Sequence, residues 1–77
     1  MSKRKPFTRH IADSHYVRNA SVTLDEEGDE RYGEYRGIIS YERYSGAVWT
    51  AVFEADNFDD RDVAIEFCKK AVRMLSE

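Results

Sequence analysis

The strongest constraint on this chain is a pair of long alternating segments joined by a short turn. Along residues 35–42 and again along residues 47–55, apolar side chains occupy every second position of one face, and a period of two is typical of a strand with one buried face. Between them, Tyr44-Ser45-Gly46 predicts a hairpin turn, because glycine adopts positive φ at no steric cost. The sequence therefore predicts a β-hairpin of two long strands.

A third strand and a C-terminal helix complete the predicted fold. Ala20, Val22 and Leu24 alternate with polar residues, which predicts a half-buried strand. Residues 59–76 begin with acidic and end with basic side chains, an order that suits the helix dipole. We therefore predict one α+β domain over residues 15–77, a three-stranded antiparallel meander packed on the helix.

Residues 1–14 are predicted to form either a basic arm or a short N-terminal helix. Pro6 can occupy the first position of a helix, which would place Phe7, Ile11 and His15 on one side. A flexible arm is the alternative.

Charge is divided unevenly along the chain. The net charge is −3, yet the first ten residues contain four basic side chains and no acidic one. Residues 11–77 hold eight basic and fifteen acidic residues, a net charge of −7. An acidic body repels nucleic acid and favours basic protein surfaces.

The predicted helix is more apolar than one face of a sheet can cover. Its apolar arc spans about 200°, whereas a surface helix needs roughly 100°. We expect Ile39, Tyr41, Trp49 and Phe53 to face the helix, which leaves apolar side chains over on the back of the sheet and on one flank of the helix. These form the predicted protein interface: Ile38, Val48, Val52, Val63, Phe67 and Met74.

No motif in the sequence indicates catalysis, a metal site or a cofactor. His10 and His15 are five residues apart and would not share a helix face as metal ligands do. Cys68 is the single cysteine and lies on the apolar stripe of the helix, which predicts a buried, unreactive thiol. We therefore predict a chain that is not an enzyme, with no catalytic residue, no metal and no cofactor.

Location and partner follow from the same features. A lone cysteine suits a reducing compartment, and no apolar run is long enough for a membrane span, so we expect a cytoplasmic protein without membrane association.

The first functional hypothesis is a protein-binding module that regulates or inhibits a larger partner, or forms a homodimer. Some phage inhibitors offer an analogy of size and charge.

Nucleic-acid binding is the second hypothesis, because tyrosine and arginine are interleaved along the predicted strands. Such side chains on a sheet can stack bases and hold phosphates. The candidate contacts are Lys3, Arg4, Lys5, Arg9, Arg36, Tyr41, Arg43 and Tyr44.

The element order of a helix, three strands and a helix resembles the double-stranded-RNA-binding domain. That family grips phosphates with a basic start to its last helix. The corresponding residues here are Asp59, Asp60, Arg61 and Asp62, so no functional residue of that family is carried over to this chain.

Overall fold

Four strands and one helix make up the computed structural model, which describes residues 7–26 and 31–76. The elements are β1 (Phe7–Ile11), β2 (Val17–Asp25), β3 (Tyr35–Ser45), β4 (Val48–Phe58) and α1 (Arg61–Leu75). Each strand pairs antiparallel with the next, so the sheet order is β1-β2-β3-β4. The predicted α+β class with a C-terminal helix is confirmed, but the sheet has four strands rather than three.

Strand β1 stands where the sequence allowed a short N-terminal helix, and that alternative is wrong for the described residues. Phe7 pairs with Leu24 and Ile11 pairs with Ala20. A spacing of four residues returns to the same face of a strand as well as of a helix, so the periodicity did not distinguish them. Pairing with β2 decides the conformation. The basic residues of the predicted arm before Phe7 lie outside the described residues.

The predicted hairpin is confirmed as β3 and β4, which are joined by Gly46 and Ala47. Both residues have positive φ, 59° for Gly46 and 68° for Ala47, as in the type I′ turn that matches the twist of two antiparallel strands. The register is continuous from Ser45 opposite Val48 to Tyr35 opposite Phe58.

Helix α1 begins and ends at polar caps. The Asp60 carboxylate accepts a hydrogen bond from the Asp62 amide at 2.8 Å, which satisfies one of the free N–H groups of the first turn. At the other end, the Ser76 amide donates to the Val72 carbonyl at 3.0 Å.

The core lies between α1 and strands β2 and β3. Its buried side chains are Ala20, Val22, Leu24, Ile39, Ala64, Cys68, Ala71 and Leu75. The predicted apolar stripe of the helix and the burial of Cys68 are therefore confirmed. Val22 is 1% exposed and is the largest fully buried side chain among the described residues.

The prediction that Trp49 and Phe53 face α1 is wrong, although Ile39 and Tyr41 do face it. Ile39 pairs with Glu54 and borders α1 together with it, so the even-numbered residues of β4 lie on the helix side. Trp49 and Phe53 consequently point to the opposite side. Both faces of β4 carry apolar residues, so composition did not show which face the helix would cover.

Candidate functional site

One side of the sheet is covered by α1, and no described element packs on the other side. This second side is called the open face here. It consists of the even-numbered residues of β3, the odd-numbered residues of β4 and their partners in β1 and β2. An uncovered sheet face with apolar side chains is a candidate binding surface.

The open face has an apolar half on β3 and β4. Ile38 pairs with Ala55, and the exposed Ala51 lies next to Phe53 on the same face. Phe53 is 65% exposed, so its ring protrudes from the sheet. A phenylalanine this exposed on a sheet face is costly in water unless something covers it.

Beside the apolar half lies a shallow strip of small polar side chains, which His10, the partner of Ser21 in β1, borders on its far side. Thr23 lies beside Ile38, Ser21 lies beside Ser40, and Ser40 lies beside Phe53. The hydroxyls of Thr8 and Thr23 are hydrogen-bonded to each other at 3.1 Å. A protruding ring therefore stands directly next to a shallow area on the same surface.

Trp49 lies at the turn end of the open face, where two side chains cover its ring. The guanidinium carbon of Arg18 is 4.1 Å from the centroid of the Trp49 ring, which is cation–π geometry. The Tyr44 ring is 5.1 Å away between centroids and tilted by 56°. These contacts leave Trp49 half-buried.

A polar network holds Arg18 in this position. The Glu42 carboxylate accepts hydrogen bonds from Asn19 Nδ2 at 2.5 Å and from Arg18 Nε at 3.0 Å. These two donors, Asn19 first, lower the pKa of Glu42 below its ordinary value. Asn19 has φ of 52° at a register shift in β2, and its backbone N–H donates to Asp13 Oδ1 at 3.1 Å.

The sequence-predicted interface residues of the sheet do not share one surface. Ile38 lies on the open face, whereas Val48 and Val52 lie on the helix side of β4. Val48 is 60% exposed, and Val52 is half-buried opposite Tyr41.

The interface residues predicted on the helix also lie in different surroundings. Val63 and Met74 are exposed, at 50% and 65%. Phe67 instead packs against the core, with its ring 5.2 Å from that of Phe58. As a binding surface, the six residues remain a prediction.

The candidate nucleic-acid contacts are likewise dispersed. Arg36 and Tyr44 lie on the open face, whereas Tyr41 and Arg43 lie on the helix side of β3. Arg9 is on the helix side of β1, with its guanidinium 5.5 Å from the Phe7 ring. Lys3, Arg4 and Lys5 lie outside the described residues.

Two features of the candidate surface were missed in the sequence. The contact of Arg18 with Trp49 joins residues 31 positions apart, so local pattern gives no sign of it. The exposure of Phe53 has a signal in the sequence, because β4 carries apolar residues on both faces while a single helix can cover only one.

Within residues 7–26 and 31–76, no group of three or more His, Cys, Asp or Glu residues could hold a metal ion. In the same part of the chain, α1 is too short and too polar to cross a bilayer.

Comparisons with protein-family models, with curated proteins and with solved structures each find no match to this chain.

Proposed function

We propose that this chain is a non-catalytic protein-binding module and that the open face is its binding surface. The observation that carries the proposal is Phe53, which is 65% exposed on the uncovered side of the edge strand β4. The occupant that fits this surface best is a second copy of the chain, packed sheet to sheet.

Shape supports self-association. Sheets that pack face to face lie about 10 Å apart and interdigitate their side chains. In a two-fold arrangement, Phe53 of each copy would fit over the small residues Ser21, Thr23 and Ser40 of the other copy. A two-fold axis repeats the same contact twice, so one protruding ring beside one shallow area is self-complementary.

The distribution of charge on the open face also supports self-association. The chain carries a net charge of −3, and like charges would oppose a dimer. On the open face, however, Glu42 is paired with Arg18 within the same copy, at 2.9 Å. Asp25 and Arg36, which lie opposite each other across β2 and β3, also balance. Two copies can therefore meet here without a concentrated like charge.

The size of the face predicts a weak dimer. Four strands about 4.8 Å apart, over about 23 Å of their length, give roughly 440 Å² per copy. The resulting total of roughly 900 Å² is less than the roughly 1,200–2,000 Å² buried in stable interfaces. We therefore expect the dimer to form at high protein concentration and to dissociate on dilution.

A dimer of this kind would direct both α1 sides outward. Those sides would remain available to another protein. By binding such a partner, the chain would act as a regulator or inhibitor. Nucleic acid is the less favoured partner for two reasons. The charges on the open face balance, and the tyrosines and arginines of β3 are divided between the two sides of the sheet.

Sedimentation velocity over a dilution series tests the proposal. The wild type should shift from monomer towards dimer as concentration rises, and Phe53→Glu should remain monomeric with an unchanged circular dichroism spectrum. Val48→Glu is the matched control, because Val48 is similarly exposed on the opposite side of the same strand. A wild type that stays monomeric throughout, or equal effects of the two variants, would contradict the proposal.

A further inference from the structure

A groove of about 550 Å³ runs between α1 and strand β1, on the opposite side of the sheet from the open face. Its floor is apolar and consists of the buried side chains of Val22, Leu24 and Cys68. Ile65 and Val72 of α1 line one wall. Phe7, which is 54% exposed, lines the other.

The rim of this groove is positively charged. Arg9 lies on the β1 wall, and Lys69 and Arg73 lie on the α1 wall. All three are exposed, and among the described residues neither Lys69 nor Arg73 forms an ion pair.

Arg61 and Glu26 also line the groove and bind each other, with Arg61 Nε 2.7 Å from Glu26 Oε1. Glu26 is the one acidic side chain among the described lining residues. Residues 11–77 carry a net charge of −7, so a basic rim around an apolar floor is the reverse of the chain's overall charge.

We propose that this groove binds an acidic amphipathic helix of a partner protein. The floor matches an apolar stripe, and the cations on both walls match carboxylates that flank such a stripe on either side. From Arg61 to Arg73 the α1 wall is about 18 Å long, which is a little over three turns of a bound helix.

The positions of the cations favour an acidic helix over a fatty acid or the chain's own N-terminal residues as the occupant of the groove. A fatty acid has one carboxylate and would need cations at one end of the groove, whereas here they lie along both walls. Residues 1–6 of the chain itself contain Lys3, Arg4 and Lys5, which would add positive charge to a basic rim. The proposal does not rest on self-association through the open face, because the two surfaces lie on opposite sides of the sheet.

Fluorescence anisotropy with two synthetic peptides tests the assignment on the intact chain. Each fluorescein-labelled probe is a helix of about 14 residues with leucines at positions i, i+3, i+4 and i+7, flanked by glutamates in one and by lysines in the other. The glutamate peptide should bind, and its affinity should fall as NaCl concentration rises. The lysine peptide should bind at least about tenfold more weakly.

Charge reversal locates the binding site. The double variant Arg9→Glu, Arg73→Glu should lose the glutamate peptide and gain the lysine peptide. Lys70→Glu is the matched control, because Lys70 lines a separate groove on the β4 side of α1, and it should leave the preference for glutamate intact. The exchange of preference makes the result independent of any loss of stability.

Three results would overturn the proposal. The first is equal binding of the two peptides. The second is a change of peptide preference in Lys70→Glu as large as that in the double variant. The third is binding of dodecanoate at the groove by a chain that binds neither peptide. The last result would assign the groove to a fatty acid instead. Because Phe53→Glu leaves the groove untouched, that variant should bind the glutamate peptide as the wild type does, which separates this proposal from the dimer.

Discussion

The ring of Phe67 in α1 lies directly over Gly37 in β3, where a Cβ atom would stand 2.4 Å from Phe67 Cδ2. A Cβ atom cannot approach another carbon so closely. The missing side chain of Gly37 therefore provides the space into which the helix packs its largest apolar residue, next to Phe58.

Replacing Gly37 with alanine should destabilise the fold. The added methyl group must displace the Phe67 ring or push α1 away from the sheet, and overpacking of this kind costs about 1–3 kcal/mol. Urea unfolding followed by circular dichroism measures the loss. The double variant Gly37→Ala, Phe67→Leu replaces the ring with a smaller side chain. It should be more stable than Gly37→Ala alone. If the second change only adds to the loss, the contact with Phe67 is not the cause.

Removing the Arg18 side chain should expose the ring of Trp49. In Arg18→Ala we expect acrylamide to quench the Trp49 fluorescence more efficiently and the emission maximum to shift to longer wavelength. The lost cation–π contact should cost about 0.5–1 kcal/mol. Arg43→Ala is the control, because Arg43 lies on the other side of the sheet. Unchanged quenching in Arg18→Ala would show that the stacked arrangement is not populated.

The stability of the fold should depend on ionisation of Glu42. Its folded-state pKa is lowered by Asn19 and Arg18, so the ionised carboxylate stabilises the fold above the unfolded-state pKa of about 4.3. That contribution is lost as the pH falls through the folded-state value. The wild type should be more stable than Glu42→Gln at neutral pH, and the difference should vanish in acid. A difference that stays constant with pH would contradict this assignment.

Cys68 should react slowly with thiol reagents in the native state. The side chain is 8% exposed, and burial raises the pKa of its thiol, so both access and thiolate content are low at neutral pH. Labelling should accelerate when urea unfolds the chain. The double variant Cys68→Ala, Ser76→Cys provides an exposed thiol at the C-terminal cap of the same helix for comparison. Equal labelling rates for the wild type and this variant would contradict the burial of Cys68.

Local patterns were sufficient to predict α1 and the β3–β4 hairpin. The hairpin depends on two alternations and a glycine-containing turn, and the helix depends on the cap at Asp60 and on its apolar stripe. In both cases the deciding contacts lie close together in sequence, or the burial repeats with the period of the element. The buried positions of α1, including Cys68, follow for the same reason.

Strand β1 and the orientation of Trp49 depend on contacts between distant residues. Phe7 and Ile11 suit a helix or a strand equally well until β2 is available to pair with them. Trp49 alternates with apolar neighbours on both sides, so its direction is set by the strand register and by where α1 lies. The open face could not be predicted for this reason, since it is defined by what the helix leaves uncovered.

Because each strand pairs with its neighbour in the chain, the contacts within the sheet and the contacts of the helix join residues at very different separations along the chain. The two-residue turn at Gly46 and Ala47 closes the β3–β4 hairpin with almost no loop, and hairpins of this kind form in about 1–10 μs. The helix must instead reach back over two strands, as shown by the Cys68 thiol lying 3.9 Å from the Thr23 carbonyl across 45 residues. We therefore expect the β3–β4 hairpin to form first and α1 to dock on β2 only after the strands between them have paired.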